Sequence, residues 1–438
     1  MTDRPIKYLS VSLYHPRVMR GGAQFVAKDI HDAAVRDANF DPVMLAGIDG
    51  QMFPQYAKVG SAITALPDSA NEYILAGQKF DDFFHTIYDQ RRNKAVARFL
   101  EDHQPDVIHV HHSIWIGLEF LELARKILPN VKIIYTLHEY VAICNSRGQL
   151  YRYHENGICN DSSPDQCVKC FPDRSAEEFI LRRRMFKRAF GLVDHFIAPS
   201  AYLRQRFVDW GIPKDNISVV PNGHKSVRPD DWTPKASASL NVFGFFGQFV
   251  DAKGIDILLM AARVAADRVK EDIEVKIFGG NKQHASEDYV ARIEAILEDA
   301  PKNLTVREMG SYSRRNVFDL MTGIDWAVVP SVWPETFGLV VSEAWDARRP
   351  VIAARAGGLD DRIVDGKNGL SFPPGSTERL ANIIEDCIGN ADLWDRLRSG
   401  IKDEITVDAA WQAHVDIIES LGVKRDPKVV QLDSAARI

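Results

Sequence analysis

Short apolar runs alternate with amphipathic stretches along most of the chain. Residues 9–13 read as a buried strand, and Gly21-Gly22 then opens a helical run over residues 23–35. Residues 43–46 predict a strand, 72–102 a long helical stretch, 106–110 a strand, 117–127 a helix and 132–137 a further strand. A cysteine-containing segment interrupts this rhythm over about residues 142–172, and a basic helix over 176–190 leads to a strand at 195–198. Strands alternating with helices of this length predict a parallel sheet covered on both faces.

The pattern breaks at Pro221-Asn222-Gly223. Residues 224–240 are polar and carry Pro229 and Pro234, as an interdomain linker does. A second alternating set follows, with strands expected at 242–246, 274–278, 304–308, 326–329 and 351–354. Helices fit between them at 254–270, 286–299, 313–322, 338–348 and 376–388. The expected organisation is an N-terminal domain over 1–223, the linker, and a second domain over 241–403. A last amphipathic helix with Trp411 spans 404–423 and a polar tail 424–438. The fold class is α/β, with two Rossmann-like, doubly wound domains.

The 438 residues are enough for two full cores. A net charge of −6 argues against a nucleic-acid partner held by bulk charge. Arg182-Arg183-Arg184, with Lys187 and Arg188, reads as a solvated helix face, or else as a contact for anionic lipid headgroups or a phosphate-bearing acceptor. No run approaches 18 apolar residues and the N-terminus lacks a signal-peptide core, so the expected location is the cytoplasm or the inner membrane surface.

The most informative stretch is PSVWPETFGLVVSEAWDARRPVIAARAGG, beginning where a predicted strand ends. In open α/β sheets, ligands sit beyond the carboxyl ends of the strands. Glu335 falls in that loop, and Glu343 lies eight residues later on the next helix. Phe337, Gly338, Leu339 and Val340 would form the helix's first turn, whose backbone N–H groups suit a phosphate. The two carboxylates can accept hydrogen bonds from sugar and ribose hydroxyls. For the Glu-x7-Glu spacing alone, two surface glutamates flanking a buried helix is the plainer reading. The surrounding motif shifts the balance towards a ligand site.

Taken with Pro-Glu-Thr-Phe-Gly-Leu and Gly357-Gly358, this segment resembles the donor half of glycosyltransferase family 4. The resemblance implies the GT-B architecture, two Rossmann-like domains facing across a cleft. It also implies transfer of a hexose, with retention, from a UDP- or GDP-linked donor to a saccharide or glycolipid. Glu335 would then contact the donor sugar and Glu343 the ribose. A place in surface polysaccharide or glycoconjugate synthesis fits the same family. Residues 244–258 place Gln248 and Lys253 at a strand–turn–helix junction. Lys253 can neutralise the diphosphate leaving group. Gln248 stands where the family often has arginine.

Gly22 is the candidate for close backbone approach in the loop after the first strand. His138 follows another strand, and the resemblance assigns it to positioning the reacting hexose. His109, His111 and His112 form an HVHH run, but neighbouring residues on a strand point to opposite faces, which argues against one metal site. Cys144, Cys159, Cys167 and Cys170 have the composition of a structural zinc site, with buried thiols or a disulfide as the alternatives. No Asp-x-Asp occurs, so no cofactor is expected in catalysis. Three rivals stand beside this reading. A nicotinamide-dependent oxidoreductase lacks its Gly-x-Gly-x-x-Gly here. A sugar-nucleotide epimerase or a phosphorylase shares the two-domain plan, though nothing marks the pyridoxal lysine of a phosphorylase. A catalytically silent GT-B subunit would keep the fold without the turnover.

Overall fold

The computed structural model describes residues 4–425 apart from 59, 156, 161, 236 and 281, so all but the first two residues of the expected tail lie outside the described residues. Two compact units emerge. The first holds the described residues of 1–148, 161–223 and 405–438, and the second those of 149–160 and 224–404.

The strands in chain order are β1 (Ile6–Leu13), β2 (Phe40–Asp49), β3 (Ile63–Ala65), β4 (Glu72–Gly77), β5 (Val107–Val110), β6 (Lys132–Thr136), β7 (Tyr151–Arg152), β8 (Gly157–Ile158), β9 (His195–Ala198) and β10 (Ile217–Val219). Then follow β11 (Val242–Gln248), β12 (Ile273–Gly280), β13 (Leu304–Gly310), β14 (Trp326–Val329), β15 (Val351–Ala354) and β16 (Gly369–Phe372).

In the first unit the sheet order is β10-β9-β6-β5-β1-β2-β4-β3. Only β3 runs antiparallel to its neighbour. The chain winds outward in both directions from β1, which pairs with β2 on one side and β5 on the other. The helix Val407–Ser420 belongs to this unit, where Trp411 meets Tyr8 and Phe40 edge-on and its Nε1 donates to Asp37 at 3.1 Å.

The second unit's sheet, β13-β12-β11-β14-β15-β16, is wholly parallel. Strands buried on both faces read as unbroken apolar runs, as WAVV and VIAA do. The winding reverses between β11 and β14, and a ligand crevice forms at the carboxyl ends of such a pair. The α/β class with two doubly wound, Rossmann-like sheets is therefore realised.

Two expectations need correction. Residues 72–102 are not helical throughout: they give β4, a loop, and the helix Gln90–His103, whose start Asp89 caps by accepting from the Arg91 and Arg92 amides. The six residues of β4 gain their partners from β2, a pairing invisible to local periodicity. Nor is the basic helix Ala176–Phe190 a wholly solvated face. Arg182 is buried and donates to the carbonyls of Phe83, Ala142 and Val141.

Candidate active site

The second unit's crevice is built from the turns after β11 and β14. One carboxyl oxygen of Glu335, Oε1, receives three donors: Lys253 Nζ at 2.6 Å, Ser331 Oγ at 2.6 Å and Trp333 Nε1 at 3.0 Å. The residue is buried, while Oε2 has no hydrogen bond among the described residues. Lys253 also lies over the Trp333 ring, 5.2 Å from its centre. The Glu335 backbone is clamped by its amide donating to Ala356 O (3.1 Å) and its carbonyl accepting from Gly358 N (2.6 Å). Gly357 takes φ +67°, and a Cβ there would stand 2.4 Å from the Glu335 carbonyl. The two glycines thus fix the height of the Glu335 loop against β15.

Gly338, at φ +82°, caps the helix Leu339–Asp346 without any side-chain cap; the Val341 amide donates to Gly338 O (3.0 Å), and the Leu339 and Val340 N–H groups are left for a ligand. The helix starts at Leu339, one residue beyond its expected beginning. Phe337 precedes it, buried, with the Arg362 guanidinium 4.1 Å above its ring. Val340 packs partly buried against the core.

Arg362 is a residue that the sequence pattern did not single out. Its guanidinium donates to Gly338 O (2.6 Å), Phe337 O (3.3 Å), Ser342 Oγ (2.8 Å) and Glu404 (2.5 Å). It holds the glycine turn from beneath. Replacing it by alanine leaves the Glu404 carboxylate, which is 14% exposed, without its ion-pair partner and with only the Ser342 hydroxyl donating to it. The expected cost is about 3–5 kcal/mol in a urea titration. Arg362→Lys should recover only part of this, because one ammonium cannot reproduce the planar fork.

Glu343 lies on the same helix, with Oε2 buried and lacking a hydrogen bond in the structure. Burial pushes its carboxyl up to about 7, against the pull of His224 and Arg314. The sign of the pH dependence follows. Between about pH 4.5 and 7 the folded state retains a proton that the unfolded state has lost, so this group's stabilisation disappears as pH rises through 7. Glu343→Gln should therefore raise the melting temperature at pH 8 relative to wild type and change it little at pH 5, as read by paired thermal melts.

Gln248 ends β11, exposed. Beside it in register, Gly280 helps line a cavity of about 350 Å³ with Phe249, Ile277, Lys282 and Ser311. That cavity lies at the carboxyl ends of β11, β12 and β13.

In the first unit, Gly22 is the exposed first residue of the helix Gly22–Arg36. The preceding loop is held by His15, whose Nδ1 accepts from the Arg17 amide and whose Nε2 stands 3.0 Å from Glu72. His15 and Lys28 hold the Glu72 carboxyl down to about 2. The HVHH run resolves by strand alternation. His109 and His111 share a face, with ring centres 4.1 Å apart, and His111 Nδ1 meets His138 Nε2 at 3.1 Å. His109 is fixed by Tyr8 (2.5 Å) and Thr136 (2.6 Å). Burial, with His112 and His414 nearby, lowers His138 to about 3, so its ring is neutral at physiological pH. His111 was not singled out as its partner, because the two lie 27 residues apart and no local pattern joins them.

Cys159 belongs to the second unit and sits by Arg152, whereas Cys144 and Cys167 act on the charge of Arg182 in the first. Among the described residues no group of three or more His, Cys, Asp or Glu side chains has the arrangement of a metal site, so the structure lends the zinc expectation no support.

The second unit thus places a carboxylate, a lysine and an open helix start at the switch point of a doubly wound sheet, and the comparisons with known proteins give the class: a glycosyltransferase with the GT-B fold. Residues 20–225 match the model described as Glycosyltransferase Family 4, and residues 230–403 match Glycosyl transferases group 1. The chain belongs to glycosyltransferase family 4. Relatives include an uncharacterized glycosyltransferase of Methanocaldococcus jannaschii, 30% identical over 52% of this chain and 59% of its own length. A D-inositol 3-phosphate glycosyltransferase of Corynebacterium urealyticum is 32% identical over 67% of this chain and 66% of its own. Over the first curated relatives, the match spans 42–60% of their length. Among solved structures, Alr3699/HepE of Anabaena, in complex with UDP and glucose, superposes with TM-score 0.63 at 20% identity, over 95% of this chain and all of that one. Sucrose-phosphate synthase of Thermosynechococcus elongatus gives 0.65 at 17% identity, over 95% and 99%.

Proposed function

We propose that this protein transfers a hexosyl group from a nucleoside diphosphate sugar to a hydroxyl of a saccharide or glycolipid, with retention at the anomeric carbon and without a catalytic metal. The observation that carries this reading is the Glu335 carboxyl, fixed through Oε1 by three donors while Oε2 stays open. A fixed acceptor of this kind recognises sugar hydroxyls. The open helix start after Gly338 and the Lys253 ammonium supply positive charge for the diphosphate as the glycosidic bond breaks. Glu343 is assigned to the ribose. The neutral, weakly basic His138 supports a positioning role on the hexose over that of a general base.

The complexes of HepE with UDP and with UDP-glucose favour a uridine diphosphate carrier. Work at the inner membrane surface, building surface polysaccharide or a glycolipid, fits the proposed acceptor. Among the described residues no helix is long and apolar enough to cross a membrane.

The test is a panel of UDP- and GDP-sugars incubated with the full chain, reading nucleoside diphosphate release and, by NMR, the anomeric configuration of the product. Release from one donor with the configuration kept supports the proposal. Inversion sinks the retaining mechanism, and binding of a donor without turnover on any acceptor favours the silent subunit. Full activity after exhaustive chelation is the expected result for metal independence.

A further inference from the structure

The donor site lies at the N-terminal end of the helix Leu339–Asp346; a different cavity, of about 350 Å³, lies at its other end. Its volume falls within the roughly 300–1,000 Å³ of small-molecule sites. Arg228, Arg348 and Arg398 line it, with Trp232, Pro234 and Ile401 as an apolar wall. We infer that this cavity binds a phosphorylated sugar, separately from the donor.

The charge count supports an anion. Arg228 (3.0 Å) and Arg348 (2.6 Å) converge on one oxygen, Oδ1 of Asp403, whose side chain is 70% exposed. Arg398 pairs only with Asp395 among the described residues. Three guanidiniums thus face two carboxylates, and behind Trp394 the charge of Arg349 is matched by Asp325, so the surplus at the cavity is one positive charge. A guanidinium carries five N–H donors, and the bonds described use two each on Arg228 and Arg348. The unused donors suit the several oxygens of a phosphoryl group, which guanidiniums bind in a bidentate fork.

The aromatic wall selects more than bare phosphate. Trp232 is fixed edge-on against Phe318, with ring centres 5.2 Å apart. Its indole and Pro234 offer an apolar surface to a sugar ring. Arg398 is pre-oriented by stacking on Trp394 (5.4 Å), which reduces the ordering cost of binding.

Isothermal titration calorimetry of the full chain at constant ionic strength tests this, with glucose 6-phosphate and inorganic phosphate as probes. Wild type and Lys253→Ala should bind glucose 6-phosphate saturably with the same Kd, since the donor site is not involved. Arg398→Ala should weaken that binding at least tenfold with the melting temperature unchanged; if it fails to fold, Arg228→Lys takes its place. Tighter binding of glucose 6-phosphate than of phosphate supports the sugar assignment, and equal binding overturns it. Absence of saturable binding in Lys253→Ala, or wild-type affinity in the arginine variant, overturns the site. The readout is binding alone, so failure of the transferase reading leaves the result interpretable.

Discussion

Glu335→Ala is expected to lower the rate of sugar transfer by about 10²–10³-fold, the loss typical of removing one preorganised electrostatic group. The acceptor that the loop is built to hold disappears, while the loop itself persists. Its position rests on backbone bonds to Ala356 and Gly358 and on the close approach at Gly357, none of which involves the carboxyl. The loss should therefore fall on kcat, with nucleoside diphosphate affinity nearly unchanged. Ser331, Trp333 and Lys253 lose a shared acceptor, so some stability is lost too, on the order of 1–3 kcal/mol. Steady-state kinetics beside a thermal melt separates the two effects. A variant that transfers sugar at the wild-type rate would remove Glu335 from the chemistry.

Lys253→Ala is expected to reduce kcat/KM by a comparable factor, about 10²-fold or more, for a different reason. The ammonium is already held at 2.6 Å from Glu335, so it is preorganised before a donor arrives. A diphosphate must share this charge with Glu335, and negative charge grows on it as the sugar leaves. Losing the lysine should weaken binding of the nucleoside diphosphate product, which losing Glu335 should not. The two side chains are in direct contact, so the double variant should be clearly less impaired than the product of the single effects. Strict multiplicativity in that cycle would mean that the pair is not a functional unit. Titration calorimetry with UDP and with GDP, alongside the kinetics, gives the required four-point comparison.

The turns after β11 and β14 were legible in the sequence because each depends on a short, local motif. Pro-Glu-Thr-Phe-Gly-Leu carries the loop acid, the glycine turn and the helix start within six residues. The central strands β14 and β15 were equally plain, since burial on both faces leaves continuous apolar runs, whereas the edge strand Gly369–Phe372 was not foreseen. Where the reading failed, the deciding interactions were distant in sequence. The strand Glu72–Gly77 owes its conformation to Met44–Asp49, and Arg182 is buried because carbonyls at residues 83, 141 and 142 converge on it.

Local order along the chain thus determined the fold class and marked Glu335 and Lys253 as candidates, because apolar period and turn chemistry are properties of neighbouring residues. Tertiary structure alone decided that Lys253 and Glu335, 82 positions apart, share one oxygen, that Arg362 underpins the Gly338 turn, and that His111 meets His138. These depend on strand order, and strand order is set by which buried faces match across the sheet rather than by any residue's own propensity.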